Sequence, residues 1–134
     1  MVIGRLIGAR AQEGEGQAVL TPELGAAGLV IMAGHRDGVS TEVERQEATS
    51  ALMKLLHLPG PKAASLRAEA ERFEEDGDAF AEAASAMPPD EKEQLVTCLW
   101  TLMGPVPEAR PPLLDSVGRA FGLTEERLAA LRPR

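Results

Sequence analysis

Proline and glycine cut this chain into short pieces, and that division limits the folds open to it more than any other feature. Pro59-Gly60-Pro61, Pro88-Pro89, Gly104-Pro105-Val106-Pro107 and Pro111-Pro112 each interrupt regular structure. Proline lacks the donor N–H and restricts the residue before it. Between these breaks, apolar residues recur three and four positions apart, the period of one helix face. Leu20, Leu24, Ala27 and Ile31 show this spacing, and Ala48, Ala51, Leu52, Leu55 and Leu56 share one face in the next segment. Nowhere do β-branched residues alternate as a half-buried strand requires. The expected fold is all-α, a compact bundle of about six or seven short helices with short connections.

Start and stop signals give the same count. Thr21-Pro22-Glu23 offers a capping hydroxyl, a proline at the first helical position and a carboxylate at the positive helix end. Thr41-Glu42-Val43-Glu44 is a capping-box pattern, and Pro59-Gly60-Pro61 is expected to end the helix it opens. A third helix carries Ala63, Leu66, Ala70 and Phe73 and is expected to end near Asp76-Gly77-Asp78. A short fourth carries Phe80, Ala83, Ala84 and Met87. The fifth starts at Asp90, with Glu93 three residues on, and bears Leu95, Leu99, Trp100 and Leu102. Leu113, Leu114, Val117 and Phe121 form the sixth, closed by Gly122, and Thr124 opens a last one with Leu128 and Leu131. Aromatics are few (three Phe, one Trp, no Tyr), so aliphatic side chains must fill the core. Trp100, Leu99, Leu52, Leu55, Val117 and Phe121 are expected to share it.

Residues 1–20 stand apart as an arm and flexible link, and residues 21–134 as the helical domain. Val2, Ile3, Leu6 and Ile7 are apolar, and residues 8–18 behind them are rich in Gly, Glu, Gln and Ala without periodicity. Those four side chains have no evident place in the bundle. They suit docking against a protein partner, a membrane face in peripheral association, or a second copy of the chain. The formal charge of −7 repels phosphate backbones, which argues against nucleic acid. Arg127, Arg132 and Arg134 read as a solvated tail, and Glu69, Glu71, Glu74, Glu75, Asp76 and Asp78 as a solvated face. The single cysteine, Cys98, sits in an apolar run and reads as a small buried residue rather than a nucleophile. His35 and His57 lack partners at zinc spacing and fall near helix ends. No catalytic triad or phosphate loop can be assembled, so no enzyme is expected. With no signal-peptide core or spanning segment legible, the expected location is cytoplasmic.

Two segments are alike: Leu20 to Leu58, with Asp37-Gly38 in its loop, and Asp90 to Leu123, with Met103-Gly104. Each is a helix, a glycine-containing loop and a second helix. Asp37, Gly38, Glu44 and Arg45 fit the first motif of the TerB-like, tellurite-resistance-associated family, which has an Asp-Gly and a Glu seven positions after the Asp. Pro89-Asp90-Glu91-Lys92, Leu95-Val96, Leu99-Trp100, Leu114, Val117, Phe121 and Gly122-Leu123 fit the second half. The chain resembles that family from about Thr21 to Leu131. The resemblance implies a bacterial stress-associated protein with two pseudo-repeated halves whose acidic residues converge around a divalent metal.

This sequence departs from the family at Met103 and Arg110, which stand where the second Asp and Glu belong. Asp37 and Glu44 are thus the remaining candidate ligands, suited at most to weak calcium or magnesium binding with Ser40, Thr41 and carbonyl oxygens. Glu44 also serves as a capping-box residue and Asp37 as a turn residue, and Arg110 can replace the metal's charge by pairing with either carboxylate. The expected function is a non-catalytic helical interaction module needing no cofactor; the alternative is a divalent-metal stress protein.

Overall fold

Seven α-helices form in the computed structural model, which describes residues 20–34, 42–73, 76–103 and 112–133; these include no strand. They are α1 (Pro22–Gly34), α2 (Glu42–Leu56), α3 (Gly60–Ala70), α4 (Gly77–Ala84), α5 (Pro89–Met103), α6 (Pro112–Phe121) and α7 (Glu125–Ala130). The all-α bundle is as the sequence implied. The glycine-containing loops of the two halves, residues 35–41 and 104–111, lie outside the described residues, as do residues 1–19.

The local signals act largely as physics demands. Thr21 Oγ1 accepts from the Leu24 N–H at 3.1 Å, and Thr124 Oγ1 from that of Arg127 at 3.1 Å. Each satisfies one of the orphan donors of a helix start. Two boundaries differ from expectation. Asp76-Gly77-Asp78 does not end a helix; it begins α4, with Asp76 Oδ1 accepting from the Ala79 N–H at 3.0 Å. Pro59-Gly60-Pro61 does not end α2 but enters α3, where prolines are tolerated. The α2 helix has already stopped at Leu56, where His57 takes a left-handed φ of 57° and the Leu58 N–H donates to the Met53 carbonyl at 3.2 Å. The α6 helix ends the same way: Gly122 has a φ of 70°, and the Leu123 N–H donates to the Gly118 carbonyl at 2.9 Å. This is the Schellman closure, in which a left-handed residue returns the chain to orphan carbonyls. The second helices of the two halves therefore share an ending.

One core runs through the bundle. Leu52, Leu99 and Val117 are fully buried, and Leu55, Trp100 and Phe121 nearly so, all within one cluster. Burying each such side chain contributes roughly 1.5–3 kcal/mol. No charged side chain is buried among the described residues. The helix at the centre is α1, which packs against α2, α3, α4 and α5. Every residue from Leu24 to Val30 is buried, so the middle of α1 has no solvent face and is not the one-sided helix its Leu20-Leu24-Ala27-Ile31 spacing suggests; Leu20 and Ile31 are only half-buried, and Glu23 and Met32 are exposed. Closest packing is against α4. A Cβ built on Gly25 would lie 2.6 Å from the Phe80 carbonyl oxygen, and one on Gly28 would fall on the Phe80 ring.

The C-terminal helix α7, at six residues, is too short to persist alone. Side chains of α5 hold it. Trp100 Nε1–H donates to the Leu128 carbonyl at 2.9 Å, and Thr97 Oγ1–H to the Leu131 carbonyl at 3.0 Å. Glu93 takes both Nε and Nη2 of Arg127, at 2.7 and 2.5 Å. The Arg132 guanidinium lies 5.1 Å from the centre of the Trp100 ring. Arg127 and Arg132 are thus clamps on α5 rather than a solvated tail; Arg134 lies outside the described residues.

Candidate functional site

The sequence offers an acidic pair and an apolar arm; the structure adds a groove. Of the acidic set, Glu44 is described. It sits half-buried in the first turn of α2, where a carboxylate meets the positive end of the helix. Asp37, Ser40, Thr41 and Arg110 lie outside the described residues, as do Val2, Ile3, Leu6 and Ile7. Met103, in the last turn of α5, is half-buried and packs against the core. A thioether is at home there and a carboxylate is not. Among the described residues, no three His, Cys, Asp or Glu side chains gather as a metal-holding group.

The acidic face proves to be partly built into contacts. Glu71 Oε2 accepts from Arg67 Nη1 at 2.6 Å and lies 3.9 Å from Arg45 Nε. Arg67 Nε also donates to Thr49 Oγ1 at 3.1 Å, which ties α3 to α2. Asp76 caps α4, and Asp78 pairs with Arg119 of α6 at 3.2 Å. A hydrogen bond from Ser116, aided by Arg119, holds the Asp78 carboxyl below its ordinary range. Glu69 is exposed, as a solvated face implies, while Glu74 and Glu75 lie outside the described residues.

The groove runs between α2 and α5 and has a volume of about 710 Å³. Its apolar surface comes from Val43, Ala51, Leu55, Cys98 and Leu102, and its polar surface includes Glu47, Lys54, Gln94 and Thr101. Val43 stands 63 % exposed, far more than Met32 or Met53. Sequence reasoning assigned Ala51 and Leu55 to the core stripe and Val43 to a cap, and missed the groove. A signal existed: Val43, Glu47, Ser50 and Lys54 form a second stripe beside the core stripe of α2, as Gln94, Thr97 and Thr101 do on α5. Small and polar residues on two adjacent helices leave space between them.

Cys98 is poorly suited to chemistry there. Burial pushes its thiol up to about 11, an effect only partly offset by the Lys54 charge. At neutral pH the sulfur stays protonated, and the thiol is a poor nucleophile.

A family model described as tellurite resistance protein TerB matches residues 23–132. The chain belongs to the TerB family. That span begins in the first turn of α1, ends just beyond α7 and leaves the apolar arm outside it. Comparison of this TerB-family chain with curated proteins and with solved structures found no match. No helix among the described residues is long and apolar enough to cross a membrane.

Proposed function

We propose that this TerB-family chain is a non-catalytic helical interaction module of a bacterial cytoplasmic or membrane-peripheral complex, with a protein partner seated in the α2–α5 groove. The observation that carries this reading is the groove itself, with Val43 exposed at its surface and an apolar floor flanked by polar side chains. An apolar centre with a polar rim is the anatomy of a protein-binding surface. The apolar arm residues Val2, Ile3, Leu6 and Ile7 are a second contributor to association.

The test compares the wild type with Val43→Asp and Ser50→Arg. Both positions are exposed, so the variants should melt with the wild type and capture less partner from a bacterial extract. Groove variants that capture the same proteins in the same amounts overturn the reading. The rival, a divalent-metal stress protein using Asp37 and Glu44, predicts stabilisation by calcium or magnesium. A ligand at a hundred times its Kd adds about 2.7 kcal/mol. An unchanged melting temperature in millimolar calcium or magnesium is the expected result.

A further inference from the structure

Among the described residues, the charged side chains that line the α2–α5 groove are Glu47 and Lys54. Both are exposed, and neither has an ion-pair partner among the described residues. Seven positions apart, they stand about 10 Å from each other along the helix, too far to pair within one α2. Other surface charges are matched inside the chain: Glu42 by Arg45, Glu71 by Arg67, Asp78 by Arg119 and Glu93 by Arg127. The groove thus offers an acid and a base at fixed spacing, with Ser50 and Ala51 between them. A matching occupant is a helix with a base opposite Glu47, an acid opposite Lys54 and small residues in the middle. The chain contains such a helix. The midpoint between Glu47 and Lys54 falls between Ser50 and Ala51. A second α2 laid antiparallel about that point sets each Glu47 against the other copy's Lys54. Small residues at the crossing let the two helices approach closely. Val43, Glu47, Ser50 and Lys54 together carry no net charge, so this stripe escapes the repulsion that −7 imposes between copies elsewhere.

We propose that the α2–α5 groove is a two-fold interface between copies of this chain. The α2 helices pack antiparallel about Ser50 and Ala51, and two reciprocal Glu47–Lys54 ion pairs fix the register. The inference rests on the groove being the interaction surface, and it makes the partner seated there another copy of the chain. A two-fold contact is self-complementary, so the patch that one copy offers is the patch it receives. Val43, 63 % exposed in the single chain, is covered by the contact. Charge pairs beside packed helices set orientation and partner choice more than affinity. Two helices of 15 residues make a small interface, so the dimer should dissociate on dilution.

Sedimentation equilibrium of the full-length chain reads mass against concentration. The wild type should move from one chain toward two as concentration rises. Glu47→Lys sets lysine against lysine, and Lys54→Glu sets glutamate against glutamate. Each alone should weaken the dimer about ten-fold or more. An equimolar mixture of the two variants restores both pairs between unlike chains and should dimerise as the wild type does. That recovery also shows that both variants are folded. Ser50→Cys should form a disulfide-linked dimer under mild oxidation, and the wild type, with Cys98 alone, should not. A wild type that stays monomeric up to millimolar concentration overturns the inference, as does a dimer indifferent to either single change or a mixture that fails to recover. A monomer whose Val43→Asp form loses partner capture from an extract sinks this inference alone and marks a different protein in the groove. A monomer whose groove variants still capture the same proteins sinks the interaction reading as well.

Discussion

His57 shows how a single residue can carry backbone strain without a chemical role. Its φ of 57° belongs to the left-handed region, which costs a side chain with a Cβ about 1–2 kcal/mol. The equivalent position closing α6 is Gly122, which adopts the same conformation freely. His57→Gly should therefore stabilise the protein by about 0.5–1 kcal/mol, read as a higher midpoint in urea at unchanged slope. His57→Val should lower it. The sequence placed His57 near a helix end but did not show which residue would turn, because Pro59-Gly60-Pro61 was the stronger local stop. Glycine and proline mark where a chain bends easily, not where tertiary packing makes it bend. Glu93 teaches a similar lesson: three residues after Asp90 it reads as a cap, yet it binds Arg127, thirty-four residues away.

Among the elements, the α1–α4 contact is the tightest and the least visible in sequence. Ordinarily a mid-helix Gly→Ala change stabilises by about 1 kcal/mol. Here Gly28→Ala should destabilise by about 1–3 kcal/mol, because a Cβ meets the Phe80 ring and the core must shift. Gly25→Ala should cost at least as much, since its obstacles include the Phe80 carbonyl and the Ala84 nitrogen, which are backbone atoms. Chemical denaturation of the two variants checks both. The α5–α7 contact should instead respond to pH. Arg127 holds the Glu93 carboxyl below its ordinary range, so the folded form binds a proton less readily than the unfolded form. Stability from this pair is present above the ordinary carboxylate range and is lost as pH falls through the lowered folded value. Wild type and Glu93→Gln should differ at pH 7 and converge on acidification; a gap that stays constant down to pH 2 would falsify this. Such pairing was not legible because periodicity reports one helix at a time. Capping at Thr21 and Thr124 was legible because it is settled within four residues.

For the molecule as a whole, the core was readable and its centre was not. Trp100, Leu99, Leu52, Leu55, Val117 and Phe121 stand out as large apolar residues on periodic stripes, and they do meet. The burial of the middle of α1 on all sides depends on small residues, Gly25, Ala26, Ala27 and Gly28, whose role is to admit neighbouring helices closely. With one cluster shared by all seven helices, unfolding should be a single transition. Urea melts followed by Trp100 fluorescence and by far-ultraviolet circular dichroism should coincide, and separate midpoints would show that α7 or the α2–α3 pair unfolds independently. Of the candidate sites, Glu44 could be placed from sequence, whereas the α2–α5 groove needed the three-dimensional arrangement of two helices that are far apart in the chain.

The central position of α1 also has a cost during synthesis. It is the first of the seven helices to leave the ribosome, and the α4 and α5 surfaces that cover it are not complete until Met103 has been added. At about 5–20 residues per second, roughly seventy further residues take about 4–14 seconds. Throughout that interval the nascent chain presents a helix apolar on every side with most of its covering still unmade. A chain built around its first helix is thus a natural client for chaperones that bind short apolar segments at the tunnel exit, and slowing translation between α1 and α5 should raise the aggregated fraction without altering the finished fold.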